Sequence, residues 1–187
     1  MSCLIAAKSA EAHPHVFIDN RVTFLFDAGK VTALRLHWVF DDIFSDDLLN
    51  QFDADGDGTF DKLESKAVGE GVLPNLKMFR YFTYVWVDGK QLDAIEPADF
   101  VASADDKRIV TFQMKVPLPH PVDPRTQALA TEIYDSEFYV EIDLAKDDPV
   151  ALENADGVPC GATVRDDHEN AYFGGFVFPQ EIALQCH

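Results

Sequence analysis

From residue 15 onward the chain alternates between apolar and polar positions. In HVFIDNRVTFLFD (15–27), Val16, Ile18, Val22, Phe24 and Phe26 share one parity, interrupted at Asn20. That period of two predicts a strand with one buried face. Asp27-Ala28-Gly29-Lys30 supplies a turn, and VTALRLHWVF (31–40) a second strand, so the two form a hairpin. Then the period changes. Phe44, Leu48 and Phe52 fall four apart with Leu49 beside them, which predicts a short amphipathic helix over 42–52. Asp41, Asp42, Asp46 and Asp47 crowd its start, where the helix dipole favours negative charge. A second helical stretch is expected through Ala67, with Gly69, Gly71 and Pro74 interrupting or kinking it before Met78.

Strand character returns at RYFTYVWV (80–87), closed by the turn Asp88-Gly89-Lys90. Further strands are expected at 100–102, 108–116 and 131–144, the last broken near Asp135. Residues 117–124 hold four prolines and read as a loop, 146–161 as polar and irregular, and 172–178 as the final strand. Runs of short strands with turns between them point to an antiparallel β-sandwich or curved sheet. The fold expected is mainly β (α+β), a single domain over 13–187 with a helix–loop–helix inserted at 42–79.

A 47% hydrophobic content fits a packed globule rather than a disordered chain. No apolar run approaches the ~20 residues of a membrane-spanning helix. A net charge of −18 repels nucleic acid and anionic lipid, which excludes both as partners, and favours cations. Residues 1–12, MSCLIAAKSAEA, end in the small-x-small form of a signal-peptidase site at Ala10-Glu11-Ala12, but the apolar stretch 3–7 is short. They read as a truncated signal peptide, with the mature chain starting at His13. Cys160 and Cys186 are then the cysteines that remain. Bridged, they would close a loop of about 25 residues, add roughly 3 kcal/mol and need an oxidising compartment.

The densest chemistry lies at residues 53–64, DADGDGTFDKLE. Every constrained position of a calcium-binding EF-hand loop is filled. Asp53, Asp55 and Asp57 stand at positions 1, 3 and 5, and Gly58 at position 6 permits the sharp turn. Thr59 at position 7 offers its carbonyl, Asp61 at position 9 acts through a water, and Glu64 at position 12 gives two oxygens. Phe60 at position 8 is expected to point inward. Ca²⁺ takes six to eight oxygens, and this spacing wraps them around one point, where the carboxylates would otherwise repel one another. Asp55-Gly56-Asp57-Gly58-Thr59 also fits the DxDxT nucleophile motif of haloacid-dehalogenase-type phosphatases. That motif must end a buried apolar strand, and here the preceding period is helical.

A mature start at His13-Pro14-His15 would gather an amine and two imidazoles, donors that suit Zn²⁺, Ni²⁺ or Cu²⁺. His37, His120, His168 and His187 are too far apart in sequence to be grouped on paper. Trp38, Phe40 and the aromatics of 81–86 read as core. No HExxH, GxSxG, Walker or GxGxxG motif is present, and no enzyme is expected.

The chain resembles a bacterial domain-of-unknown-function family, number 1007, often described as the periplasmic component of an uncharacterised ABC-type transport system. The residues carrying the resemblance are His13-Pro14-His15-Val16-Phe17-Ile18-Asp19, Trp38-Val39-Phe40-Asp41 with Phe44-Ser45, the 53–64 loop, Tyr81-Phe82-Thr83, Tyr134-Asp135 with Phe138-Tyr139, and the two C-terminal cysteines. The resemblance implies export to the periplasm and association with an inner-membrane metal-ion permease of the nickel/cobalt or zinc type. The expectation is therefore a periplasmic accessory protein of metal-ion transport, with structural Ca²⁺ in the loop and a transition metal near His13 and His15. The alternative is a Ca²⁺-stabilised structural or interaction module with no transport role.

Overall fold

The alternation at the start of the chain becomes a long antiparallel hairpin, β1 (Val16–Asp27) with β2 (Lys30–Phe40). Val16, Ile18, Val22, Phe24 and Phe26 are buried, as the shared parity requires. The computed structural model describes residues 14–155 and 157–187; the expected leader and His13 lie outside them. After the hairpin come α1 (Asp42–Phe52) and α2 (Lys62–Leu76), then nine more strands. These are β3 (Thr83–Val87), β4 (Lys90–Gln91), β5 (Ala98–Ala104), β6 (Val110–Val122), β7 (Leu129–Ile133), β8 (Val140–Leu144), β9 (Val150–Glu153), β10 (Cys160–Asp166) and β11 (Gln180–Cys186).

The fold is mainly β, with two sheets and two helices. The first sheet runs β5-β6-β2-β1-β8, and β9 also pairs with β1. The second runs β10-β11-β7-β3-β4. The first sheet is mixed rather than purely antiparallel: β8 and β9 both run parallel to β1, one beside residues 16–20 and the other beside 22–25. Buried residues of both sheets and both helices belong to one cluster, with Trp38, Phe24 and Phe112 among its largest members. Burying side chains of this size contributes roughly 1.5–3 kcal/mol each. Among the described residues, no helix is long and apolar enough to cross a membrane.

Several boundaries differ from the sequence expectation, each for a tertiary reason. The helix after the loop runs to Leu76 instead of stopping near Ala67. Gly69 and Gly71 are not breaks but sites of close approach: a Cβ would come within 2.9 Å of Phe100 at the first and 2.8 Å of Phe52 at the second. Pro74 falls in the last turn. The third strand begins at Thr83 rather than Arg80, because Arg80, Tyr81 and Phe82 have φ of 57°, 53° and 53° and cannot join an extended ladder. The proline-rich 117–122 is not a loop but the far end of β6. Pro117, Pro119 and Pro121 alternate outward there while Leu118 and Val122 stay buried. This end extends beyond Lys115, the last β6 residue paired with β5, so no ladder on that side needs the missing N–H groups. Residues 172–178 hold a 3-10 turn at Phe173–Gly175, and the last strand is β11.

Cys160 and Cys186 form a disulfide, their Cα atoms 4.1 Å apart as opposed residues of the β10–β11 ladder. β10 is an edge strand with almost every residue exposed. The disulfide at one end, and Arg165 paired with Glu181 (2.7 Å) near the other, hold it to the sheet.

Candidate metal centre

The loop between the helices is positioned from both ends. α1 starts on Asp41, whose carboxylate accepts from the Phe44 N–H (2.9 Å), and ends where the Asp53 N–H donates to the Leu49 carbonyl (3.0 Å). α2 starts on Asp61, whose Oδ1 accepts from the N–H groups of Leu63 and Glu64 (2.6 and 2.9 Å). Glu64 returns the bond by accepting from the Asp61 N–H (2.9 Å). Such a capping box contributes about 1 kcal/mol. Two serines, Ser45 buried and Ser65 half-buried, dock the helices on the first sheet: Val110 N–H donates to Ser45 Oγ (3.0 Å) and Ala102 N–H to Ser65 Oγ (2.8 Å).

Between the helices, the chain wraps around the Asp53 carboxylate. Its Oδ1 accepts from Gly56 and Asp57 (2.8 and 3.2 Å) and its Oδ2 from Gly58 (2.9 Å). The turn needs φ of +86° at Gly58, where a side chain would be strained. Glu64, only 8% exposed, also accepts from the Ala54 N–H (2.8 Å), so one carboxylate ties both ends of the loop. Phe60 is half-buried and packs against the core, the inward placement expected of it.

Asp53, Asp55 and Glu64 each present an oxygen within 4.8 Å of the others. Asp57 is not in that group: its Oδ1 accepts from both the N–H and the hydroxyl of Thr59 (2.8 Å each). Burial pushes the Asp53 carboxyl up, but the N–H groups of Gly58, Gly56 and Asp57 outweigh it and hold it below the usual range. At Asp55 the Asp57 N–H pulls the carboxyl down, yet the charges of Asp57, Glu64 and Asp53 together with burial leave it raised. The loop is thus a site where oxygens converge and where their charges work against one another. An all-oxygen donor set suits a hard divalent cation such as Ca²⁺ better than a soft one.

Among the described residues the histidines are not assembled. His15 is exposed, its ring 4.9 Å from Tyr139, and His13 lies outside the described residues. His37 is half-buried and pulled down by burial and by Arg21. His168 lies against Phe178 (4.3 Å). Among the described residues, no histidine joins a group of three or more side chains able to hold a metal. Asp55, the nucleophile of the phosphatase alternative, sits in a loop between helices, not at the end of a strand. Sequence reasoning missed Arg108, from the β5–β6 turn, which pairs with Asp46 (3.2 Å) and lies 3.1 Å from where a Cβ on Gly58 would be. Nothing in its local sequence marks it.

The family described as protein of unknown function DUF1007 matches residues 1–173. The chain belongs to that family. An uncharacterized 15.5 kDa protein in the trpE 3' region of Spirochaeta aurantia is 37% identical over 127 residues, 68% of this chain and 89% of that protein. An uncharacterized protein of Haemophilus influenzae is 24% identical over 194 residues, covering 94% of this chain and 91% of that one. No solved structure matches the chain. The DUF1007 match takes in the whole helix–loop–helix and both strands of the first hairpin.

Proposed function

We propose that this DUF1007 protein is an exported, calcium-stabilised module: a β-sandwich whose inserted helix–loop–helix is an EF-hand that holds one Ca²⁺. The observation that carries the reading is the convergence of Asp53, Asp55 and Glu64 on one point of a loop with a left-handed glycine at its sixth position. Those three would hold the ion through carboxylates, with Asp57, the Thr59 carbonyl and Asp61 as the remaining positions of the pattern. The ion's charge would offset the mutual repulsion that raises Asp55.

The role is structural rather than that of a sensor. Both helices are tied by serines to β5 and β6, and Met114 is fully buried while Met78 is exposed, so no methionine-lined groove stands ready to open. The disulfide supports an oxidising, exported location. Calcium at about a hundred times its dissociation constant stabilises a folded chain by about 2.7 kcal/mol. Thermal melts in Ca²⁺ and in EGTA test the reading. The melting temperature should rise with Ca²⁺ in the wild type and stay put in Asp53→Asn; equal melts in the two buffers would end it.

The transport role implied by the resemblance extends this proposal. His13 and His15 would take up Zn²⁺, Ni²⁺ or Cu²⁺ and present it to an inner-membrane permease, and the exposure of His15 at the start of β1 supports it. Titration of the mature chain with Zn²⁺ and Ni²⁺, beside a His13→Ala/His15→Ala variant, separates this role from the structural one.

A further inference from the structure

Glu132 is 1% exposed, although it lies on the face of the second sheet opposite the shared core. Its neighbours on β7, Thr131 and Ile133, belong to the core face, so its own side chain points the other way. What buries it is the segment 167–178, which follows β10. From that segment the Asn170 amide donates to both oxygens of Glu132 (3.3 and 3.4 Å) and to Asp167 (3.1 Å). Tyr172 lies 4.8 Å from Tyr134, which in turn stacks on Tyr84 (4.4 Å). The Asp167 N–H donates to the Pro179 carbonyl (2.8 Å), closing the segment's base.

Three carboxyl groups meet under this cover. Glu132, Asp167 and Glu181 have oxygens within 4.8 Å of one another, and the Asn170 amide bridges the first two. Glu181 has a cation of its own, Arg165. Among the described residues, no lysine, arginine or histidine pairs with Glu132 or Asp167. From β3 the group facing Glu132 is Tyr84, with Arg80 over its ring at 5.5 Å. Tyr134 follows β7, and the segment adds Tyr172 and Glu169, while His168 is turned to Phe178. Two carboxylates buried this close cannot both be charged without a counter-ion or a proton.

We propose that Glu132 and Asp167 share one proton, and that this proton latches the segment 167–178 onto the second sheet, so that the segment lifts off in alkaline solution. Glu132 carries the proton and donates it to the Asp167 carboxylate. Burial first, then the bond to Asp167, pushes Glu132 up to about 8, against the opposing Asn170 amide. Burial also pushes Asp167 up, but the Glu169 N–H, the Glu132 carboxyl and Arg165 outweigh it and hold it low. Because the folded state binds this proton more tightly than the unfolded one, the stabilisation is complete below the ordinary glutamate range and is lost as pH rises through 8. Above that, the proton passes to water, two charges remain under one amide, and the aromatic face of Tyr84 and Tyr134 is uncovered.

The test is a pH series from 6 to 9.5 in EGTA, reading the melting temperature and chymotrypsin cleavage at Tyr172, Phe173 and Phe176 mapped by mass. The wild type should melt progressively lower from pH 6 through 8 and level off above it. Cleavage in the segment, corrected with a reference peptide, should rise roughly tenfold between pH 7 and 9, as a group titrating near 8 goes from about a tenth to about nine-tenths ionised. Glu132→Gln, neutral and still a donor, should flatten both profiles. Asp167→Asn should flatten them too, by letting Glu132 ionise in place, and it serves if the first variant folds poorly. Parallel profiles for wild type and both variants would overturn the latch. So would a rise in melting temperature with Zn²⁺ or Ca²⁺ at pH 7 that Glu132→Gln abolishes, since a cation rather than a proton would then hold the pair.

Discussion

Glu64 does three things with one carboxylate: it accepts from Ala54, accepts from Asp61, and faces Asp53 and Asp55. Only the last needs a cation. Glu64→Ala should therefore weaken the fold even in chelator, by about 1–2 kcal/mol for two backbone donors left without their acceptor, measured by urea unfolding. Asn20 poses the opposite case. It breaks the apolar stripe of β1, is 1% exposed, and neither of its side-chain polar atoms finds a protein partner among the described residues; the same holds for the indole N–H of Trp38 directly across the ladder. Asn20→Leu, similar in size and without polar atoms to bury, is expected to raise the melting temperature. The break at Asn20 was visible in the sequence, and so were Asp53, Asp55 and Glu64, the three carboxylates the loop brings together, because both are local patterns. Arg108 beside Gly58 was not, because its 50-residue separation carries no period.

At the level of elements, what was legible was what local periodicity controls. α1 spans the expected 42–52, and the first hairpin falls within a residue of its expected bounds. α2 was read as too short because Gly69 and Gly71 count locally as breakers, whereas their use here is to let Phe100 and Phe52 approach the helix backbone. Alanine in place of Gly69 would gain about 1 kcal/mol of helix propensity but must displace the Phe100 ring from 2.9 Å. Overpacking of this kind costs typically 1–3 kcal/mol, so Gly69→Ala should be net destabilising in urea unfolding, where an exposed helical glycine would be stabilised. The prolines of β6 misled for the same reason. A proline signals a break only when a neighbouring strand needs its N–H, and that depends on where β5 stops.

At the scale of the whole molecule, the pairing of distant strands was the part the sequence did not reveal. β8 and β9 return parallel to β1, while β7, close to β8 in the chain, belongs to the other sheet. The carboxyl set of Glu132, Asp167 and Glu181 likewise joins β7 to the distant β10–β11 region. The two cysteines could be paired on paper by elimination, and the disulfide now has a mechanical role in holding an exposed edge strand. Reduction, or Cys160→Ser with Cys186→Ser, should lower stability by roughly 3 kcal/mol on a loop of 26 residues' separation, and should loosen β10 first in hydrogen exchange. The helices flanking the proposed calcium loop are docked on the other sheet, so any stabilisation by Ca²⁺ should persist in the reduced protein. The most direct measurement is calorimetric titration of the EGTA-stripped chain with CaCl₂, beside Glu64→Gln. One calcium per chain with the wild type and no saturable heat with the variant is the expected result. Identical isotherms for the two, or no binding to either, would contradict a calcium site in this loop.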